Sequence, residues 1–120
     1  MRVVRLEESG RGPHGGPLFV GTVQRLGIVN EAESDLLRVN EVSFLAGAVN
    51  KFHTHTFDQV LVITEGVGLV QVKGGPERRV TTGDVIFFKA GESHWHGAAP
   101  GATMRHLAIG TPGSTQLDPE

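Results

Sequence analysis

KFHTHTFDQVLVITEG, residues 51–66, sets two histidines one residue apart, then a glutamine, then an apolar run. On a helix, residues i and i+2 point about 200° apart. On a strand they share a face, with Cα atoms roughly 6.6 Å apart. His53 and His55 therefore converge only if this stretch is extended. Two imidazoles at that spacing can reach one ion at about 2.1 Å each. Gln59 lies four residues on, about 13 Å along a straight strand, so it joins them only if the chain turns back between Thr56 and Asp58. Thr-Phe-Asp serves as that turn, and QVLVIT then reads as the next strand. Gln59, Leu61 and Ile63 share its inner face, polar at the mouth and apolar below.

Outward from this stretch, the chain keeps the same grammar. Short runs rich in Val, Ile, Leu and Phe are punctuated by Gly, Pro, Asn and Asp. The pattern predicts strands near 3–6, 18–24, 36–45, 59–64, 67–73, 77–82, 84–88, 94–98 and 102–109. Glu65–Gly66, Gly74–Gly75–Pro76 and Thr82–Gly83–Asp84 read as turns. No window holds a helical stripe longer than two turns. Many short, closely spaced strands imply an all-β fold, a single antiparallel β-barrel or jelly-roll sandwich of about nine to eleven strands. One domain over residues 1–110 is expected, followed by a flexible tail over 111–120. SGRGPHGGP, residues 9–17, reads as a flexible loop. The apolar N-terminal strand Val3 to Leu6 points to a homodimer, or a higher homo-oligomer, that pairs or packs there.

Composition narrows the function. The chain has 120 residues, one ordinary domain, and a formal net charge of −2. It has no basic block, so nucleic acid is excluded as a partner and a small molecule is the expected one. Cysteine is absent, so no disulfide supports the fold. MRVVRLEESG lacks the apolar region of a signal peptide, and the longest apolar runs are far too short to span a bilayer. A cytoplasmic protein without membrane contact is expected.

An H-x-H pair by itself is common as polar strand surface. A second pair alters the reading: GDVIFFKAGESHWHGA, residues 83–98, places His94 and His96 at the same i, i+2 spacing. Two such pairs in one small β domain point to a metal site. His96 shares a face with His94. His106, in MRHLAI, shares a face with Met104 and Ala108. Each of these two is a candidate general base beside a metal, or else an orienting residue (His96) and a satisfied core histidine (His106). His14, in the Gly/Pro loop, reads as solvated. Trp95 faces away from its neighbours and packs, and Asp58 and Glu92 read as turn residues.

These residues carry a resemblance. Gly47, His53, His55, Gln59 and Gly66 stand at the spacings of the first motif of the cupin superfamily. Gly83, Lys89, Ala90, Gly91, His94 and Ala98 follow its second motif. Gln59 replaces the usual Glu, Lys89 a Pro and Ala98 an Asn. LFVGTV, HTHTFDQVLVITEG, GESHWHGAAP and MRHLAI together resemble a small bacterial cupin group. That group includes manganese-dependent hydroxynitrile lyases and cupins encoded beside carboxymuconolactone-decarboxylase-like proteins. The resemblance implies His53, His55, Gln59 and His94 as ligands of one divalent ion. A hydrogen-bonding Gln59 beside a three-histidine site is the alternative.

Mn(II) is the ion the resemblance favours, and Fe(II), Co(II), Ni(II) and Zn(II) suit the same nitrogen-rich donors. An uncharged ligand set leaves the ion its full charge and makes it a stronger Lewis acid. The expected reaction is lyase cleavage of a small hydroxyl compound such as a cyanohydrin, with His106 or His96 as base. An iron-dependent dioxygenase and a non-catalytic ligand-binding sensor are the competing functions.

Overall fold

The computed structural model describes residues 1–7 and 10–119. Among these, twelve strands form and no helix does: β1 (Gly12–Pro13), β2 (Phe19–Val20), β3 (Val23–Val29), β4 (Arg38–Phe44), β5 (Val49–Asn50), β6 (His53–His55), β7 (Gln59–Val72), β8 (Arg78–Thr81), β9 (Val85–Phe88), β10 (His94–Ala98), β11 (Met104–Gly110) and β12 (Thr115–Leu117). Every pairing is antiparallel. The order runs β1-β3-β4-β11-β7-β10-β5-β2, with β8 and β9 on β7 and β6 between β10 and β12. The fold is the all-β barrel or jelly roll that the strand pattern predicts.

One long strand joins the two halves. Residues 59–62 of β7 pair with β9 and residues 60–66 with β11, whereas residues 67–70 pair with β8 and residues 68–72 with β10. The pattern predicts a hairpin turn at Glu65–Gly66, but the strand runs through it. Gly66 takes φ 86°, which bends the strand without reversing it. A Cβ there would lie 1.9 Å from the Thr103 carbonyl oxygen, so glycine alone lets the neighbouring chain close on the bend. The other two turns are as expected. Gly75 donates its N–H to Val72 O and Asp84 donates its N–H to Thr81 O.

Both termini depart from expectation. Val3 to Leu6 forms no strand. Its flank is held instead by Arg2, which donates to a Glu33 carboxylate at 2.6 Å, and by Arg11, paired with the buried Glu41. Of the loop expected over 9–17, Ser9 lies outside the described residues, and the rest is not wholly loop, since β1 pairs with β3 at Gly12↔Arg25. The expected tail carries β12, which pairs with β6 in the register Thr115↔His55. Its end is fastened where Asp118 accepts from Ser93 (2.6 Å) and Lys73 (2.9 Å). These segments are too short and polar to announce themselves; a long-range partner orders them.

The barrel interior divides by depth. Phe44, Leu61, Ile63 and Met104 are fully buried and form its apolar floor. Each such side chain contributes about 1.5–3 kcal/mol through burial. Period-2 alternation on β4, β7 and β11 turns Val42, Ile63 and His106 inward as one row, Arg25↔Val42↔His106↔Ile63, extended by β3 at the barrel edge. Across the mouth lie β6 and β10 with the histidine pairs.

Candidate metal centre and cavity

His53 and His94 are direct register partners across β6 and β10. Their ring centroids lie 4.4 Å apart, with His55 at 4.8 Å from His53 and 5.2 Å from His94. Gln59 opens β7 at the same mouth, after the turn at Thr56–Asp58. Asp58 caps that turn's neighbour by accepting the Ala90 N–H at 2.8 Å. Ring nitrogens of His53, His94 and His96 come within 4.8 Å of one another. By proximity alone the trio would therefore include His96 rather than His55.

Hydrogen bonding separates the two. His53 Nδ1 meets Lys51 O at 2.6 Å, His94 Nδ1 meets Glu92 O at 2.8 Å and His55 Nδ1 meets Thr115 Oγ1 at 2.8 Å. A carbonyl can only accept, so the Nδ1 atoms of His53 and His94 carry the protons and their Nε2 lone pairs are free. The Thr115 hydroxyl can accept in the same way from His55. Nε2 of His53, His55 and His94, together with Gln59 Oε1, is buried with no hydrogen-bond partner. Buried acceptors without partners are costly, and four in one cluster are what a divalent cation satisfies. His96 is arranged differently. Asn50 Oδ1 accepts the His96 backbone N–H at 2.8 Å, which turns Asn50 Nδ2 toward His96 Nε2 at 3.2 Å. That lone pair is engaged, so His96 is held by Asn50 rather than left available.

The cluster is neutral at pH 7. Burial lowers the pKa of His53, and pushes His55 and His94 to about 4. For His55 the neighbouring His53 and His94 rings add to burial, while the Gln59 carboxamide acts the other way. For His94 the Glu92 carbonyl opposes burial. Neutral imidazole is the form that ligates a metal.

A cavity of about 220 Å³ opens beside the cluster, lined by His53, His55 and Gln59 and also by His96 and His106. His94 is not among its lining residues; it stacks on Phe88 with ring centroids 3.8 Å apart. His106 is 1% exposed, packs against Phe44 and His96, and has no hydrogen-bond partner on either ring nitrogen. Burial drives its pKa to about 4. The His96 pKa is also lowered well below its ordinary value, by burial and then by the His106 ring. Trp95 points out of the barrel, donating to Gln71 Oε1 at 2.7 Å.

Other residues at the site were not legible as such. His14, expected in solvent, is half-buried, lines the cavity and packs 4.7 Å from Phe19. Asn50, Thr115, Arg25 and Asn40 reach the site through strand pairings or side-chain contacts with residues 15 to 60 positions away. No local motif marks them.

Residues 40–110 match the family described as Cupin domain. The chain is 41% identical over 103 residues to the (R)-mandelonitrile lyase of Granulicella tundricola, covering 86% of this chain and 77% of that protein. A cupin-like protein of Thermotoga maritima superposes with TM-score 0.86 at 32% identity, covering 92% of this chain and 87% of that one. A polyketide cyclase of Streptomyces resistomycificus superposes with TM-score 0.88 at 18% identity, over 100% and 87% of the two chains, a likeness of fold. With a matched stretch that begins in β4, ends in β11 and takes in both histidine pairs, the chain belongs to the cupin family.

Proposed function

We propose that the protein is a metal-dependent lyase that cleaves a carbon–carbon bond in a small hydroxyl compound, a cyanohydrin being the test case. The observation that carries this reading is the adjacency of two features: a cluster of four unpartnered acceptors, three of them on residues that line the cavity, and a buried, unpartnered, neutral His106 in the same lining. The 41% identical relative, a mandelonitrile lyase by name, supports the reaction class.

His53, His55 and His94 through Nε2, and Gln59 through Oε1, would hold the ion; Mn(II) is the proposed one. A divalent ion bound there supplies Lewis acidity to the substrate's hydroxyl oxygen, undiminished by any carboxylate ligand. His106 takes the hydroxyl proton, since burial keeps it neutral with a free lone pair at pH 7. The oxygen's electrons then form the carbonyl as the carbon–carbon bond breaks, and the pair leaves on cyanide. The proton held on His106 returns to cyanide, so aldehyde and hydrogen cyanide balance the cyanohydrin. Asn50 fixes the His96 ring, and the His96 ring packs edge-on at 4.9 Å against His106 to hold it in place. The apolar lining, Val42, Phe44 and Ala108, keeps water from competing for the proton.

The test is metal analysis of protein prepared without added metal, followed by Mn(II) loading and a mandelonitrile assay read as benzaldehyde absorbance. One ion per chain and metal-dependent benzaldehyde release are expected. Oxygen uptake without cleavage would move the protein to the dioxygenase class.

A further inference from the structure

The cavity holds a charge that cleavage of a neutral cyanohydrin does not require. Arg25, exposed at the barrel rim, lies on β3 in register with the inward row of Val42 and His106, and lines the mouth of the cavity. Two strand spacings, about 9.6 Å, separate its backbone from that of His106, within reach of one extended side chain and a small ligand. Arg25 Nε donates to Asn40 Oδ1 at 2.9 Å. That contact aims the guanidinium and leaves its terminal nitrogens, and the Asn40 amide N–H groups, as donors.

No carboxylate lines the cavity, and the ion pairs among the described residues do not include Arg25. The other charge-bearing candidates in the lining are histidines, which burial keeps neutral. Arg25 is thus the permanent charge of this cavity among the described residues. It is also felt there: Arg25 helps to lower the pKa of His14, after burial. A guanidinium fork with an adjacent amide donor matches a carboxylate in geometry and charge. The volume, about 220 Å³, limits the ligand to a small molecule.

We propose that Arg25, oriented by Asn40, binds an anionic group of the substrate, so that the cavity takes a small hydroxy acid with its carboxylate at Arg25. Its hydroxyl then falls among the histidines, a placement that rests on the function proposed above. The anion site rests on the cavity lining alone.

Mandelate and its uncharged counterpart mandelamide are the probes, titrated calorimetrically into metal-stripped and Mn(II)-loaded protein with metal content measured in each sample. The parent should prefer mandelate in both forms. Arg25→Gln should weaken mandelate binding about ten- to hundredfold, the size of a charge-assisted contact, and leave mandelamide within about twofold. Arg25→Lys, which keeps the charge, should retain part of the preference. A preference that survives Arg25→Gln would assign charge recognition to the metal and overturn the proposal, as would equal binding of the two probes, or none, by the parent. Mandelonitrile cleavage on the same parent preparation separates the two readings. Cleavage without an Arg25-dependent preference removes only the anion site; the preference without cleavage removes only the lyase.

Discussion

Replacing Thr115 with valine tests whether the C-terminal strand is part of the metal centre. Thr115 Oγ1 meets His55 Nδ1 at 2.8 Å across the β12–β6 ladder. Valine keeps the shape and removes the hydroxyl. The strand should stay in place, because Ser114 N–H donates to Thr56 Oγ1 at 2.9 Å and Asp118 remains tied to Ser93 and Lys73. The loss is then confined to His55, whose Nδ1 proton would lack an acceptor in a site only 9% exposed. One such hydrogen bond contributes about 0.5–1.5 kcal/mol to stability. Its larger effect is on tautomer and ring orientation, and loss of a partner of this kind costs roughly 10–100-fold in metal affinity. The assay is competition for Mn(II) against a chromophoric chelator, beside chemical denaturation of the metal-free protein. Thr115→Val should lose metal affinity by that factor with a stability change of about 1 kcal/mol, and Thr115→Ser should recover it. Affinity within twofold of the parent for Thr115→Val would refute the reasoning and remove either this contact or His55 from the centre.

Three further outcomes follow from the same geometry. His106→Ala should keep its metal and lose on the order of a hundredfold in turnover; unchanged turnover would leave His96 as the base. The metal-free protein should lose stability as pH falls from 6.5 toward 4. Over that window unfolded histidines take up protons while buried His106, held at about 4, does not. His106 alone accounts for roughly 3 kcal/mol, absent above neutral pH and complete near its folded pKa. Denaturation at a series of pH values should therefore show a shallower fall for His106→Gln than for the parent, and equal slopes would contradict this. If the chain forms the expected homodimer, the outer face should make the contact rather than the N-terminal segment. Phe87 and Val85, 59% and 65% exposed, continue the apolar rows of Val60 and Val62 on β7. Light scattering should give twice 12.8 kDa, with Phe87→Glu monomeric, and a parent monomer at micromolar concentration would rule the dimer out.

Alternation and spacing are local properties, and the sequence by itself carried them. H-x-H forces extended backbone if its rings are to converge, so β6 and β10 and their shared face could be read at once, as could the opening of β7 at Gln59. The apolar floor under them followed from Leu61 and Ile63 at the same period. What alternation cannot specify is which strand lies beside which. Glu65–Gly66 has the composition of a turn, yet the close approach of Thr103 makes it a bend within one strand. Thr115 looked like frayed tail because its value depends on a partner 60 residues away. The resemblance already implied His55 as a ligand; the physical reason that His96 is less available, its tie to the Asn50 amide 46 residues away, lies only in the fold. Arg25 lay just past the strand expected over 18–24 and carried no reading until β3 paired with β4 and brought it into the row of His106. Ligand types and their face were written in short-range periodicity; lone-pair availability, cavity charge and the fastening of both termini arose only from long-range register, which no local window encodes.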